Sequence, residues 1–303
     1  MAGGLLTFFI IPPMISLAPF SLRSLAQLAV LVGLSSACTQ EIEKPLPAAD
    51  TVSASPNADA RPFADYKNTV WADEFSSGSL DQTKWAYEVK DTWYNNELEA
   101  TTNRADNLTV SGGFLNIIAK PESYHNKTYT SARINTKGKQ DFGYGRLDVR
   151  AKLPRGKGIW PAIWMLGTND SDVGWPACGE IDIMELRGSD PTRNLTTMHF
   201  GVNPADHRQK GTTYALPGAT ATNNLSTDFH IYSVIRSKNK MEFFLDGVSY
   251  YSFSSADATP YPFNNPFYAI LNLAVGGDFD GNPDASTVFP QTMQVDYVRF
   301  SQY

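Results

Sequence analysis

A period of two in the apolar residues restricts the fold more than any other feature of the chain. Short runs alternate or stay apolar at Phe114–Ala119, Gly145–Leu153, Phe229–Ile235, Met241–Leu245, Phe267–Leu273 and Met293–Phe300. Successive side chains of a strand face opposite sides of a sheet, so such runs bury one face and wet the other. Turn-forming pieces separate them: Ser111-Gly112-Gly113, Lys137-Gly138, Pro154-Arg155-Gly156, Asp246-Gly247 and Gly276-Gly277. Asp246-Gly247 between two such runs is a hairpin signal. No window of a dozen residues carries a sustained helical stripe. The expected fold is all-β, an antiparallel sandwich, and with 42% hydrophobic residues the chain can fill its core.

The first 37 residues contain one charged side chain, Arg23, and two apolar stretches, Leu5–Phe20 and Leu25–Leu34. Pro12 and Pro13 break the first stretch, and small residues Ser35, Ser36 and Ala37 follow the second, just before Cys38. This pattern reads as an export signal, not a membrane anchor. Its ending resembles a bacterial lipoprotein signal, in which Cys38 becomes the lipidated first residue, although Ser35 stands where Leu is favoured. Plain signal cleavage is the alternative, and Met14 is a possible initiator. Residues 38–65, rich in Ala, Pro, Ser and Asp, read as a disordered linker, and 66–303 as one domain. With 25 basic and 31 acidic side chains and no basic run, binding of nucleic acid by bulk charge is excluded. The membrane is reached only through the lipid, and a monomer is expected.

The sharpest local feature is Gly179-Glu180-Ile181-Asp182-Ile183-Met184-Glu185. Glu180 and Asp182 share one face of a strand, with Ile181 and Ile183 behind, but the third acid comes one residue late. A bulge returns Glu185 to the face of the other two and turns Met184 aside. Three adjacent carboxylates suit a solvated strand, a hard cation, or a glycosidase pair in which one attacks the anomeric carbon and another protonates the leaving oxygen. The third reading accounts best for the repulsion that such a row costs. Spacing alone leaves open which glutamate does which.

Trp160, Trp164 and Trp175 precede the acids closely, and an indole is a flat platform for the C–H face of a sugar. Trp160 and Trp175, beside Pro and near Gly, are placed on the cleft; Trp164 fits core or cleft. Trp71, Trp85 and Trp93 default to packing. Cys178 reads as a small packing residue, and the scattered His125, His207 and His230 suggest no zinc site.

The segment Glu180–Glu185 resembles the signature of glycoside hydrolase family 16 in its bulged form. Gly158–Leu166, Gly174–Cys178, Tyr94–Leu98, Tyr129–Ile134, Asn272–Gly277 and Val295–Arg299 are similar, in order, to the laminarinase-type bacterial members. The resemblance implies a concanavalin A-like β-jelly roll with its cleft on the concave sheet and retaining endo-acting cleavage of β-1,3-glucan. It also implies Glu180 as nucleophile, Asp182 as its assisting carboxylate and Glu185 as general acid and base. Asn96, Glu97, Arg133 and His199 match its cleft positions, although Leu98-Glu99-Ala100 departs from the usual Gln and Tyr; His199 also fits a satisfied core histidine. Glu74, Gly113 and Asp296 match positions that hold a structural calcium in many relatives, and Asp296 within an apolar strand reads as an inward acid that wants a cation or donors; no cofactor is expected for catalysis. The loops Tyr124–Lys127 and Pro204–Leu216 are expected to set specificity, so mixed-linkage glucan or a red-algal galactan are alternative substrates. A non-catalytic lectin on the same sandwich is a further alternative, one that should lack an acid. Retention requires carboxyls about 5–5.5 Å apart on backbones separated by roughly 13 Å, a demand on the fold.

Overall fold

A computed structural model describes residues 56–303. The chain forms β1 (Asn68–Asp73), β2 (Ala86–Tyr87), β3 (Glu99–Thr101), β4 (Leu108–Ser111), β5 (Phe114–Tyr124) and β6 (Lys127–Ser131). Next come β7 (Arg133–Asn135), β8 (Gly145–Lys152), β9 (Ile159–Gly167), β10 (Glu180–Glu185), β11 (Arg193–Phe200) and β12 (Arg208–Ala215). The last five are β13 (His230–Ser237), β14 (Lys240–Leu245), β15 (Val248–Ser254), β16 (Phe267–Val275) and β17 (Gln291–Gln302). One sheet runs β15-β14-β13-β8-β17-β5-β6-β3, with β1 on β17 and β4 on β5; the other runs β12-β11-β10-β9-β16-β7-β2. Apart from the parallel pair β3–β6, the pairings are antiparallel among the described residues.

The two sheets close on one apolar layer. Leu115, Ile117, Leu147, Val149, Val295 and Val298 from the first meet Ile163, Met165, Ile181, Leu271 and Leu273 from the second. The alternation is clearest on β9, where Ile159, Pro161, Ile163 and Met165 are buried and Trp160 and Trp164 stay partly open. Middle strand β16 is buried along its whole length, as its apolar run, interrupted by Asn272, requires. All six expected runs lie in strands, and Asp246-Gly247 turns the β14–β15 hairpin.

Two features lay beyond the periodicity. Part of the expected linker is docked: Tyr303 N–H donates to Asn57, Lys238 N–H donates to the Ala58 carbonyl, and Arg146 donates to the Phe63 carbonyl. Phe63 packs on Phe244 and Tyr66 is buried, so the domain begins before residue 66. The export signal and Cys38 lie outside the described residues. No helix among the described residues is long and apolar enough to cross a membrane.

Arg236 ties the strand ends together. Its buried guanidinium donates to the carbonyls of Phe142, Gly143, Phe263 and Asn265 and lies 4.4 Å over the Phe267 ring. A buried carbonyl without a donor costs about 1–3 kcal/mol. Arg236→Met should therefore lower stability by about 3 kcal/mol or more, read as the shift in the urea midpoint at constant slope; an unchanged midpoint contradicts this role.

Candidate active site

The β10 register puts the three acids together. Against β9, Glu180 pairs with Leu166, Asp182 with Trp164 and Glu185 with Ala162. The partners step by two throughout, while the acids step by two and then three, so the extra residue is absorbed between Asp182 and Met184. Against β11 the partners are His199, Thr197 and Leu195, again in steps of two. Glu185 thus shares the face of Glu180 and Asp182, while Ile181, Ile183 and Met184 are buried in the core.

A bulge leaves a carbonyl without its ladder partner. Here the Ile183 carbonyl accepts from the Thr196 hydroxyl at 3.0 Å and the Asn194 amide at 3.3 Å. Tyr250 OH closes the buried cluster, 2.6 Å from Thr196 Oγ1 and 3.0 Å from Asn194 Nδ2. At the start of β10, Gly167 has no Cβ, and a Cβ there would stand 2.1 Å from the Cys178 carbonyl oxygen. That approach lets Gly167 N–H donate to the Gly179 carbonyl and fixes where Glu180 begins. Cys178 is fully buried, its thiol pushed up to about 11 by burial, as befits a packing residue.

Each glutamate receives one indole N–H. Trp175 Nε1 donates to Glu180 Oε2 and Trp160 Nε1 to Glu185 Oε1, both at 3.0 Å. His199 Nε2 lies 3.1 Å from Asp182 Oδ2 and 3.7 Å from Glu180 Oε1. Trp164 donates to Asn272 at 2.7 Å, so its ring is on the site face. Arg133 is clamped between Trp93 and Trp164, 4.4 and 4.6 Å from their ring centres, and Phe279 stacks on Trp160 at 4.6 Å. Further along, Asn96 donates to the Asp278 carboxylate and Glu97 is half-buried, its backbone carbonyl accepting from Lys127.

The family model described as "Glycosyl hydrolases family 16" matches residues 80–299. The chain belongs to glycosyl hydrolase family 16. Among family relatives, the glucan endo-1,3-beta-glucosidase A1 of Niallia circulans is 42% identical over 259 residues, 77% of this chain and 37% of that protein. The beta-glucanase of Rhodothermus marinus is 41% identical over 247 residues, covering 76% of this chain and 83% of its own. This chain thus spans little more than a third of the first relative but most of the second. The laminarinase catalytic domain of Thermotoga maritima MSB8 superposes with a TM-score of 0.72 at 40% identity, covering 78% of this chain and 98% of that one. The family 16 sandwich is a β-jelly roll.

The structure brings together Glu180, Asp182, Glu185, Trp160, Trp164, Trp175, Arg133 and His199. Sequence reasoning missed Asn272, Phe279 and His207. Trp93 is buried, as its assignment to packing expects, and packs against Arg133. The calcium positions fit poorly. Asp296 is not inward: β17 shifts register between Val295 and Tyr297, leaving its carboxylate partly open and 2.6 Å from Arg150. Glu74 is held by two 2.8 Å bonds from Arg299, and Gly113 lies in the β4–β5 turn. A cation at these residues has to displace two guanidinium groups.

Burial dominates the electrostatics of this family 16 site. It raises Glu180 to about 7, helped by the Asp182 charge and opposed by His199, the Trp175 N–H and Arg133. Burial also lifts Asp182 to about 8, and it holds Glu185 well above the carboxylate range with the charges of Asp182 and Glu180 behind it. Because the folded chain holds the Asp182 proton more tightly than the unfolded chain, this stability is full below about pH 4 and is lost as pH rises through about 8. Asp182→Asn should therefore melt higher than the native protein at pH 8, by about 2–4 °C for each kcal/mol released, with the gap closing near pH 4. Equal melting temperatures at pH 8 contradict the raised proton affinity.

Proposed function

We propose that the chain is a retaining endo-β-1,3-glucanase, exported and lipid-anchored through Cys38, acting as a monomer. The observation that carries the reading is the β10 bulge, which sets Glu180, Asp182 and Glu185 on one face with an indole N–H on each glutamate. Relatives named as glucan endo-1,3-beta-glucosidase and beta-glucanase support β-1,3-glucan as the polymer.

The unequal surroundings of the two glutamates support their roles. The negative form of Glu180 is favoured by the Trp175 N–H, His199 and Arg133, which suits the nucleophile. Glu185 also has His199 and the Trp160 N–H, but burial and two carboxylates push it upward and Arg133 does not offset them, which suits a proton donor. In the first step the Glu180 carboxylate bonds to the anomeric carbon as that carbon's bond to the glycosidic oxygen breaks, and Glu185 supplies the proton to the departing oxygen. In the second, Glu185 takes a proton from water, whose oxygen displaces Glu180. Two inversions give retention. Asp182, between them, shares hydrogen with the nucleophile and His199 as charge moves.

Trp160, Trp164 and Trp175 supply flat surfaces for sugar rings, and Arg133 is stiffened by the two indoles that hold it. Hydrolysis of laminarin, lichenan, agarose and carrageenan, followed as new reducing ends, tests the reading. Laminarin should be cleaved fastest, and Glu180→Gln and Glu185→Gln should each lower kcat by about 10³-fold or more. Silence on all four polymers, or an undiminished Glu180→Gln, overturns it.

A further inference from the structure

His207 follows the β11–β12 turn and takes no part in the chemistry above, yet it touches two of the groups that touch the carboxylates. Its Nε2 lies 2.8 Å from Nδ1 of His199, and the two rings are nearly parallel and meet edge to edge, with centres 5.1 Å apart and an interplanar angle of 14°. Its other contact is Trp175, 4.5 Å away between ring centres. His199 faces Asp182 and Glu180 through its opposite nitrogen, and Trp175 donates its N–H to Glu180.

The segment presenting His207 is fixed by its own short-range bonds. Asn203 Oδ1 accepts the N–H groups of Ala205 and Asp206 over the 3-10 turn Pro204–Asp206. The Asp206 carboxylate accepts Val202 N–H and the Arg208 guanidinium. A Cβ on Gly201 would stand 2.4 Å from the Asp206 carbonyl oxygen, so the turn folds tightly against its own start. His207 is thus presented by an exposed loop that its own short-range bonds close.

We propose that His207 is a positioning residue for the nucleophile, acting through His199. One hydrogen occupies the bond between the two imidazoles, so the state of His207 Nε2 sets what His199 offers at Nε2. When His207 donates, His199 keeps its own proton on Nε2 and donates towards an ionised Asp182. When His207 accepts, His199 Nε2 is a lone pair that can take a hydrogen bond from a protonated Asp182. Either nitrogen of a neutral imidazole can carry the hydrogen, so the pair serves both states of Asp182 without moving a ring. This rests on Glu180 as nucleophile and Asp182 as its partner.

Two variants separate the hydrogen bond from the packing. His207→Phe keeps a ring on Trp175 but has no nitrogen; His207→Gln restores an amide that can donate or accept. On laminarin, His207→Phe should lower kcat by about 10-fold through misplacement of His199, with KM held within about twofold and an unchanged Tm, and His207→Gln should recover most of the loss. The ¹⁵N resonance of His199 Nδ1 should move in His207→Phe and return towards its native position in His207→Gln. A native kcat in His207→Phe, equal loss in both variants, or an unmoved His199 resonance overturns the proposal. If the native protein cleaves no glucan, the function reading fails and the His199 resonance still decides the contact.

Discussion

With Ile183 left out of the β9 ladder, Glu185 turns to the same side as Glu180 and Asp182, and everything that the site does depends on that turn. A regular strand would send Glu185 into the apolar layer where Met184 now lies. The irregularity is held from beneath, because the Ile183 carbonyl is satisfied by Thr196 and Asn194, with Tyr250 completing the cluster. These buried polar groups sit within an otherwise apolar core. A carbonyl left bare at that depth would favour a slip back to regular pairing, so the cluster and the carboxylate row are two sides of one local structure.

Setting three acids on a mostly enclosed face costs free energy in proportion to how many are ionised, and the surroundings divide that cost unevenly. The surroundings make the two glutamates differ: each has an indole N–H and the field of His199, but Glu180 has one negative neighbour and the field of Arg133, whereas Glu185 has two negative neighbours and no such cation. On the proposed mechanism this difference gives two chemically identical groups opposite tasks, one to attack and the other to give a proton. Trp160 and Trp175 donate an N–H to the glutamates, and on the proposed function they also offer flat apolar surface to the substrate. The aromatic content of the chain is therefore partly electrostatic in purpose.

Much of this was legible in the sequence, for reasons that the structure makes plain. Strands with one buried face, such as β9 and β10, and the wholly buried β16 announce themselves through apolar spacing. The bulge was legible too, because acids at 180, 182 and 185 cannot share a face otherwise. Strand β12, Arg208–Ala215, was hidden within an expected specificity loop because it is an edge strand with little buried surface. The docking of Asn57 and Ala58 was illegible because it runs largely through backbone groups, which carry no residue signal. Arg133 between Trp93 and Trp164, and His207 against His199, join residues distant in sequence or separated by a turn, and no local pattern marks such pairs. Asp296 misled because its strand reads as continuous, while a register shift carries the side chain away from the core to Arg150.

The account stands on two carboxylates reaching one glycosidic bond from one face of the sheet, Glu180 at the anomeric carbon and Glu185 at the oxygen, and the stereochemistry of the product reports that directly. Proton NMR of a laminarin oligosaccharide digest, recorded within the first minutes before mutarotation, separates the two new reducing-end anomers. The β anomer should appear first, as double displacement through Glu180 requires. An α anomer appearing first would mean a single inverting displacement by water, and would contradict the geometry assigned to the bulge.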